Sequence, residues 1–485
     1  MQKKLNYNNI FNSKFIFLSS AIFIVGLFYE NFTTSCFASQ LDIKLQKKLD
    51  KKYTTKDISK KLFSHRINGL NDEEIDMFIL GKSFFRVPWV EAPSATTARD
   101  GLGPLFNANA CISCHPNNGV ASVFNKNGDV SRGYVTRLSI PSDNSHKAKK
   151  ALKFDGFIGD PNYGSQISVN GTKSVPYEAK PLIKYEKLKV VYPDGQEIIL
   201  SKPIHGVKNQ LTQLNYGKLH KNVAITNRVA QALVGLGLLD MLSDEQILAN
   251  EDIEDKNKDG ISGKANIVYS PEFKDFRVGR YTWKASAPSV RVQVAGAANN
   301  DMSLTSSLFP NENCTDIQKE CKDAPKGDAL RAGTPFDLPD NRLDAIAFYL
   351  KNLKIPKSII TEKKGEKLFN DIGCAKCHIP SFILKNAYEI KPFTDMLLHD
   401  MGEGLSDGRS EFLANANEWR TAPLWSIGKY ETALGRKADF LHDGRAKSIE
   451  EAILWHGGEA LKSKNNFMNL TKDQRQKVIR YIKEL

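Results

Sequence analysis

Apolar residues recur at helical spacing in several parts of the chain. Leu343, Ile346, Ala347, Leu350 and Leu353 form one stripe, which Pro356 ends. Val478, Tyr481, Ile482 and Leu485 form a second, and Thr471 with Gln474 supplies a capping box at its start. Ile449, Ile453 and His456 share one face of a third, behind Ser448 and Glu451 and stopped by Gly457-Gly458. A helical stretch is also predicted around Val229–Leu242. Strand character lies at Leu188–Tyr192 and Ile198–Leu200, on either side of Pro193-Asp194-Gly195, a pattern that predicts a hairpin. Phe15–Phe28 is continuously apolar but only 14 residues long, too short for a comfortable membrane span.

That apolar run follows Lys3, Lys4 and Lys14, and the polar segment after it ends in Cys36-Phe37-Ala38, with small residues where a signal peptidase reads. Residues 1–38 therefore read as a secretory signal, with an uncleaved anchor as the alternative. The expected location is the periplasm, with no stable membrane span after processing. The 485 residues exceed a single typical domain. Hydrophobic and charged fractions of 41% and 25% exclude disordered and collagen-like classes. The formal charge of +13 falls to +11 when residues 1–38 take three lysines and one glutamate with them. Because the basic residues are spread along the chain, they predict a solvated surface and no nucleic-acid partner.

Cysteine spacing carries the chemistry. Removal of the signal leaves six cysteines, and four of them fall in two copies of one motif: Cys111-Ile112-Ser113-Cys114-His115 and Cys374-Ala375-Lys376-Cys377-His378. Cys-x-x-Cys-His is the attachment signature of c-type haem: two thiols add across the porphyrin vinyl groups, and the histidine reaches the iron. The surroundings repeat as well, with Leu-Phe-Asn at 105–107 and again at 368–370. Helix, haem-binding turn and closing helix make a cytochrome c-like unit, and the chain has two. The predicted fold is mainly α, with a first domain at 39–356, which carries a long strand-containing insertion, and a second at 357–485. Cys314 and Cys321, in a polar loop without a third metal ligand nearby, are expected to form a disulfide in an oxidising compartment. Asp255, Asn257 and Asp259 open like a calcium loop with Gly260 at the turn, but Asn266 stands where a bidentate Glu completes such a loop. A calcium site and a polar turn both stay open.

Six stretches spread over most of residues 60–460 resemble the bacterial di-haem oxidoreductase family, relatives of the di-haem cytochrome c peroxidases. They are Ala92-Pro93-Ser94, Asp100 to Asn107, Asp259 to Gly263, His399 to Gly402, Trp419 to Leu424 and Leu441 to Arg445. The resemblance implies an exported enzyme or electron carrier with two covalent haems. It also implies a small-molecule oxidant such as peroxide, and a redox partner protein such as a small cytochrome or cupredoxin. In the related peroxidases a glutamine and a glutamate downstream of the first haem line the peroxide pocket, and Gln166 and Glu178 occupy a similar order here.

The iron ligands decide between enzyme and carrier, because an iron with two strong protein ligands mainly transfers electrons, whereas an open position binds substrate. His115 and His378 are the proximal ligands by spacing. His456, on an apolar helical face in the second module, is the candidate for the other side of the haem at His378. Arg420 is a candidate partner for a haem propionate, since a guanidinium pairs bidentately with carboxylates. The leading function is a peroxidase-like oxidoreductase that passes electrons from the second haem to a catalytic first haem. The alternatives are a non-catalytic di-haem electron carrier and an oxidase of a small reductant.

Overall fold

Capping and composition place the helices where the apolar stripes required them. A computed structural model describes residues 43–96, 98–327 and 333–485, so the predicted signal at 1–38 lies outside the described residues. Helix α1 (Asp72–Arg86) starts at Asn71, which exchanges hydrogen bonds with Glu74, and stops at Val87 before Pro88. The single turn α2 (Cys111–Cys114) carries the first haem motif. The longer strands of the insertion follow: β1 (Tyr134–Ser139), the antiparallel hairpin β2 (Tyr185–Val191) and β3 (Glu197–Pro203), and β4 (Ala224–Val229). Strand β4 returns antiparallel to β1, setting Arg137 opposite Thr226 and Val135 opposite Arg228. Helices α3 (Val290–Met302) and α4 (Asp340–Lys351) close the first half.

In the second half, α5 (Lys363–Asp371) leads into a short turn at Cys374–Lys376. The short strands β5 (Leu398–Asp400) and β6 (Glu418–Arg420) pair antiparallel. Helices α6 (Ile449–Trp455) and α7 (Lys472–Glu484) end the chain, and α7 begins in a formed Thr471–Gln474 capping box.

The fold is mixed, where a mainly α one was expected. Helices are the larger share, but nine sheets are present among the described residues, each of two strands. The stretch Val229–Leu242 also differs from expectation. Val229 ends β4, held in register with Tyr134, and the helix shrinks to Leu236–Asp240 behind Gly235 in the left-handed region. Long-range strand pairing there overrides local helical spacing.

Two apolar cores organise the motifs. In one, Phe78 and Phe85 of α1 pack with Leu343 and Ile346 of α4, and Cys111 and Ile112 lie against them. Gly81 permits this approach: a Cβ there would sit 1.8 Å from the Ala345 carbonyl oxygen. In the other core, Phe369, Trp455, Val478 and Ile482 surround Cys374 and Ala375. Each core crosses residue 356 in sequence. Phe382, Met396 and Trp425 join the first, and Tyr192 and Leu200 of the β2–β3 hairpin join the second.

Candidate functional site

Both motifs close in the same way, with the histidine N–H donating to the carbonyl of the first cysteine at 3.0 Å. This turn points two thiols and one imidazole the same way in each copy. All four motif cysteines are unpaired thiols, whereas Cys314 and Cys321 are joined in a disulfide. Burial pushes the Cys111 and Cys374 thiols up to about 12, so they are held neutral.

A cavity of about 440 Å³ reaches both motifs. Its wall includes Cys111, Cys114 and His115, then Cys374, Cys377 and His378, and also His456. Three of these imidazoles share one arrangement. His115 Nδ1 bonds the Gln231 carbonyl at 2.8 Å, His378 Nδ1 the Phe393 carbonyl at 3.0 Å, and His456 Nδ1 the Ala452 carbonyl at 2.8 Å. A carbonyl only accepts, so Nδ1 carries the proton and Nε2 keeps its lone pair. Burial lowers His115 and His378 to about 4 and lowers His456 as well. The result is three neutral rings whose remaining nitrogen is free to bind a metal, each oriented by a second hydrogen bond. His456 caps the end of α6, close enough to His378 to disfavour its protonation. Free thiol pairs, neutral oriented imidazoles and an apolar wall fit haem at both motifs.

Arg420 also lines the cavity. Its guanidinium donates to the carbonyls of Thr282 at 3.1 Å and Thr421 at 3.2 Å, and it forms no ion pair with a carboxylate among the described residues. Burial lowers it to about 10, which leaves a buried cation in want of an anion. His399 is the opposite case: both nitrogens face carboxylates, Glu459 at 2.7 Å and Asp395 at 2.8 Å. His442 lies flat on Trp419 at 3.9 Å, and both rings line the cavity.

The expected acid–base pair is only half assembled. Glu178 is fully buried away from the cavity wall, and both of its oxygens are committed, one to the Ser168 N–H and one to the Gln318 amide, each at 2.6 Å. Its place beside the first haem motif in sequence does not bring it to the site, because the 168–178 loop folds back on the disulfide loop. Gln166 reaches the wall indirectly, donating to Asp301 Oδ1 at 2.7 Å. Asp301 itself lines the cavity, and burial pushes its carboxyl up. Its backbone carbonyl accepts from Asn107 and Ala108 just before the first motif. Sequence reasoning passed over it; the available signal was one face of α3, where Gln293, Ala297 and Asp301 recur every fourth residue. In the 255–260 loop, Asp255 accepts from backbone N–H groups of the loop itself, and Asp259 pairs with Lys376 at 2.9 Å.

The model of the family described as "Di-haem oxidoreductase, putative peroxidase" matches residues 52–485. No curated protein matches the chain. Among solved structures, the hydrazine synthase of Kuenenia stuttgartiensis is similar at 14% identity with a TM-score of 0.26, over 54% of this chain and 73% of that one. On the family match over nearly its whole length, this chain belongs to the di-haem oxidoreductase family.

Proposed function

We propose that the protein is an exported di-haem c-type oxidoreductase of the peroxidase kind, taking electrons at the second haem and delivering them to a catalytic first haem. The observation that carries this reading is the single cavity shared by both Cys-x-x-Cys-His motifs, with three neutral imidazoles fixed through Nδ1. Cys111 and Cys114 would hold one haem and Cys374 and Cys377 the other. His115 and His378 are the proximal ligands, and His456 is the second ligand at His378. Arg420, a buried guanidinium that pairs with no carboxylate among the described residues, is a propionate partner. Export is supported by the leader pattern and by the Cys314–Cys321 disulfide. Among the described residues no helix is long and apolar enough to cross a membrane.

An asymmetry supports the routing. The second motif has His456 near His378, whereas among the described residues no other imidazole on the cavity wall has Nδ1 fixed by a backbone carbonyl beside His115, and His442 there is stacked on Trp419. The first haem would therefore keep a position for substrate. Haem supplies an iron that accepts electrons and binds one oxygen of a peroxide. The chain's own contribution is proton movement. Asp301, on the cavity wall and protonatable because it is buried, takes the proton from one peroxide oxygen and returns it to the other, which leaves as water. Gln166 fixes the Asp301 carboxylate through Oδ1. The test is peroxide turnover by half-reduced protein. Asp301→Asn should lower it at least about 100-fold with both haem spectra intact. A wild type inert to peroxide would defeat the peroxidase reading.

A further inference from the structure

Beside the cavity lies a buried charge cluster that does not balance. Arg228 donates to Asp407 and to Glu411, each at 2.8 Å. Lys284 reaches Asp407 at 3.2 Å, Arg409 reaches Glu411 at 3.0 Å, and Arg137 stands 3.9 Å from the same Glu411 oxygen. Four cations thus have two carboxylates within 4 Å, and Asp301 acts on Arg137 from further away, which still leaves positive charge in excess. The side chains of Arg228, Lys284 and Arg409 are 4%, 0% and 0% exposed, and Arg137, on the cavity wall, is 24% exposed. Arg137 Nε, Arg228 Nε and Arg409 Nη2 are buried without a hydrogen-bond partner among the described residues. Burial lowers Lys284 to about 8 and Arg409 to about 10, whereas Glu411 and Asp407 raise Arg228. Uncompensated buried charge is expensive, so such a cluster implies an anion that completes it.

The ladder of β1 and β4 indicates which anion. At one end it touches the first motif: Cys114 Sγ lies 3.1 Å from the Arg132 carbonyl, and His115 bonds the Gln231 carbonyl at 2.8 Å. Arg137 is five residues further along one chain segment and Arg228 three residues back along the other, and both line the cavity. At about 3.3 Å per residue, the cluster is roughly 10–16 Å from the motif. Haem carries its two carboxylates on the edge that the cysteines do not use. Asp301, the next acid along the wall, is bonded to Gln166 and offsets at most one of the four cations, through Arg137.

We propose that Arg137 and Arg228, backed by Lys284 and Arg409, form the propionate-binding site of the first haem, whose two carboxylates neutralise the cluster. This rests on the first haem being held at Cys111 and Cys114. Removing a cation from the site favours the ferric iron over the ferrous, because the ferric haem carries one more positive charge, so the midpoint falls.

The test is a redox titration of purified two-haem protein. Arg137 is the cleaner position, because Arg228 closes two buried ion pairs and its loss threatens folding. Arg137→Gln should lower the midpoint of the first haem by the equivalent of at least a tenfold change in the ferric-to-ferrous ratio, about 59 mV, and leave the second unmoved. Arg137→Lys should restore most of it. Resonance Raman bands of the propionates should shift in Arg137→Gln alone. A first-haem midpoint unchanged in Arg137→Gln overturns the proposal. So does a wild-type midpoint that moves when acetate is added, since the cluster would then be taking free carboxylates. Haem content of the same samples separates the outcomes. Missing haem at the first motif defeats the proposed function, whereas full haem with unmoved potentials defeats only the propionate assignment.

Discussion

Glu178 gives the sharpest test of what the structure changed. Its carboxyl is fully buried with an N–H donor on each oxygen. Burial favours the neutral acid, while the donors from Ser168 and Gln318 favour the carboxylate. Burial wins and raises the group from 4.5 to about 8. Between those values the folded protein keeps a proton that the unfolded chain has released. Stability must therefore fall as pH rises through that window, by up to about 1.4 kcal/mol per pH unit. Glu178→Gln cannot ionise, but its NH2 stands where an oxygen accepted, so one of the two N–H donors, Ser168 or Gln318, loses its acceptor. In urea unfolding followed by far-UV circular dichroism, the variant should be less stable than the wild type near pH 5 by about 1–3 kcal/mol and should lose this slope. The deficit should close as pH rises toward 8, because only the wild type loses stability over that range. Peroxide turnover should be unaffected. A 100-fold fall in turnover with unchanged stability would refute the reasoning and restore Glu178 as the base.

Cys374→Ala with Cys377→Ala should halve the haem that stays on the polypeptide after denaturation and acid–organic extraction, and full retention would reject covalent attachment at that motif. His456→Ala should open the iron at His378 to cyanide or carbon monoxide and shift its spectrum toward high spin. His456→Met should raise that haem's potential, because thioether ligation favours ferrous iron.

Local signals were legible where a short segment decides its own structure. The two haem motifs, the β2–β3 hairpin, the α4 stripe and the Thr471–Gln474 cap all depend on residues within about one or two turns of each other. His456 reached the cavity wall for the same reason: its face was set by Ile449 and Ile453 on one short helix. The misses share the opposite cause. Val229 looked helical, but its pairing with Tyr134 belongs to a strand that lies far away in sequence. Glu178 was nominated by its order after the first motif, and order along a long insertion does not fix which way a loop folds. Asp301 and the four-cation cluster draw on segments that sequence keeps apart, from Arg137 to Glu411, and no spacing rule joins them.

Backbone atoms fix the three imidazoles, so their orientation does not depend on which side chains the acceptor residues carry. The acceptors at Gln231, Phe393 and Ala452 are carbonyl oxygens, which no substitution removes unless it moves the chain. Phe393 shows what holds such a carbonyl in place. Its φ is 55°, a left-handed conformation that a bulky residue rarely adopts. Its ring is buried edge-on against Phe369 at 6.4 Å and Tyr481 at 6.3 Å. Those two residues come from α5, which leads into the second motif, and from α7, which closes the chain. The apolar core thus holds the strained backbone at 393, the strained backbone aims its carbonyl at His378, and the bond turns Nε2 toward the cavity. Strain of this kind persists only where packing over-determines it. The aromatic core around α5 and α7 is therefore part of the ligand geometry as well as of the stability of the second half.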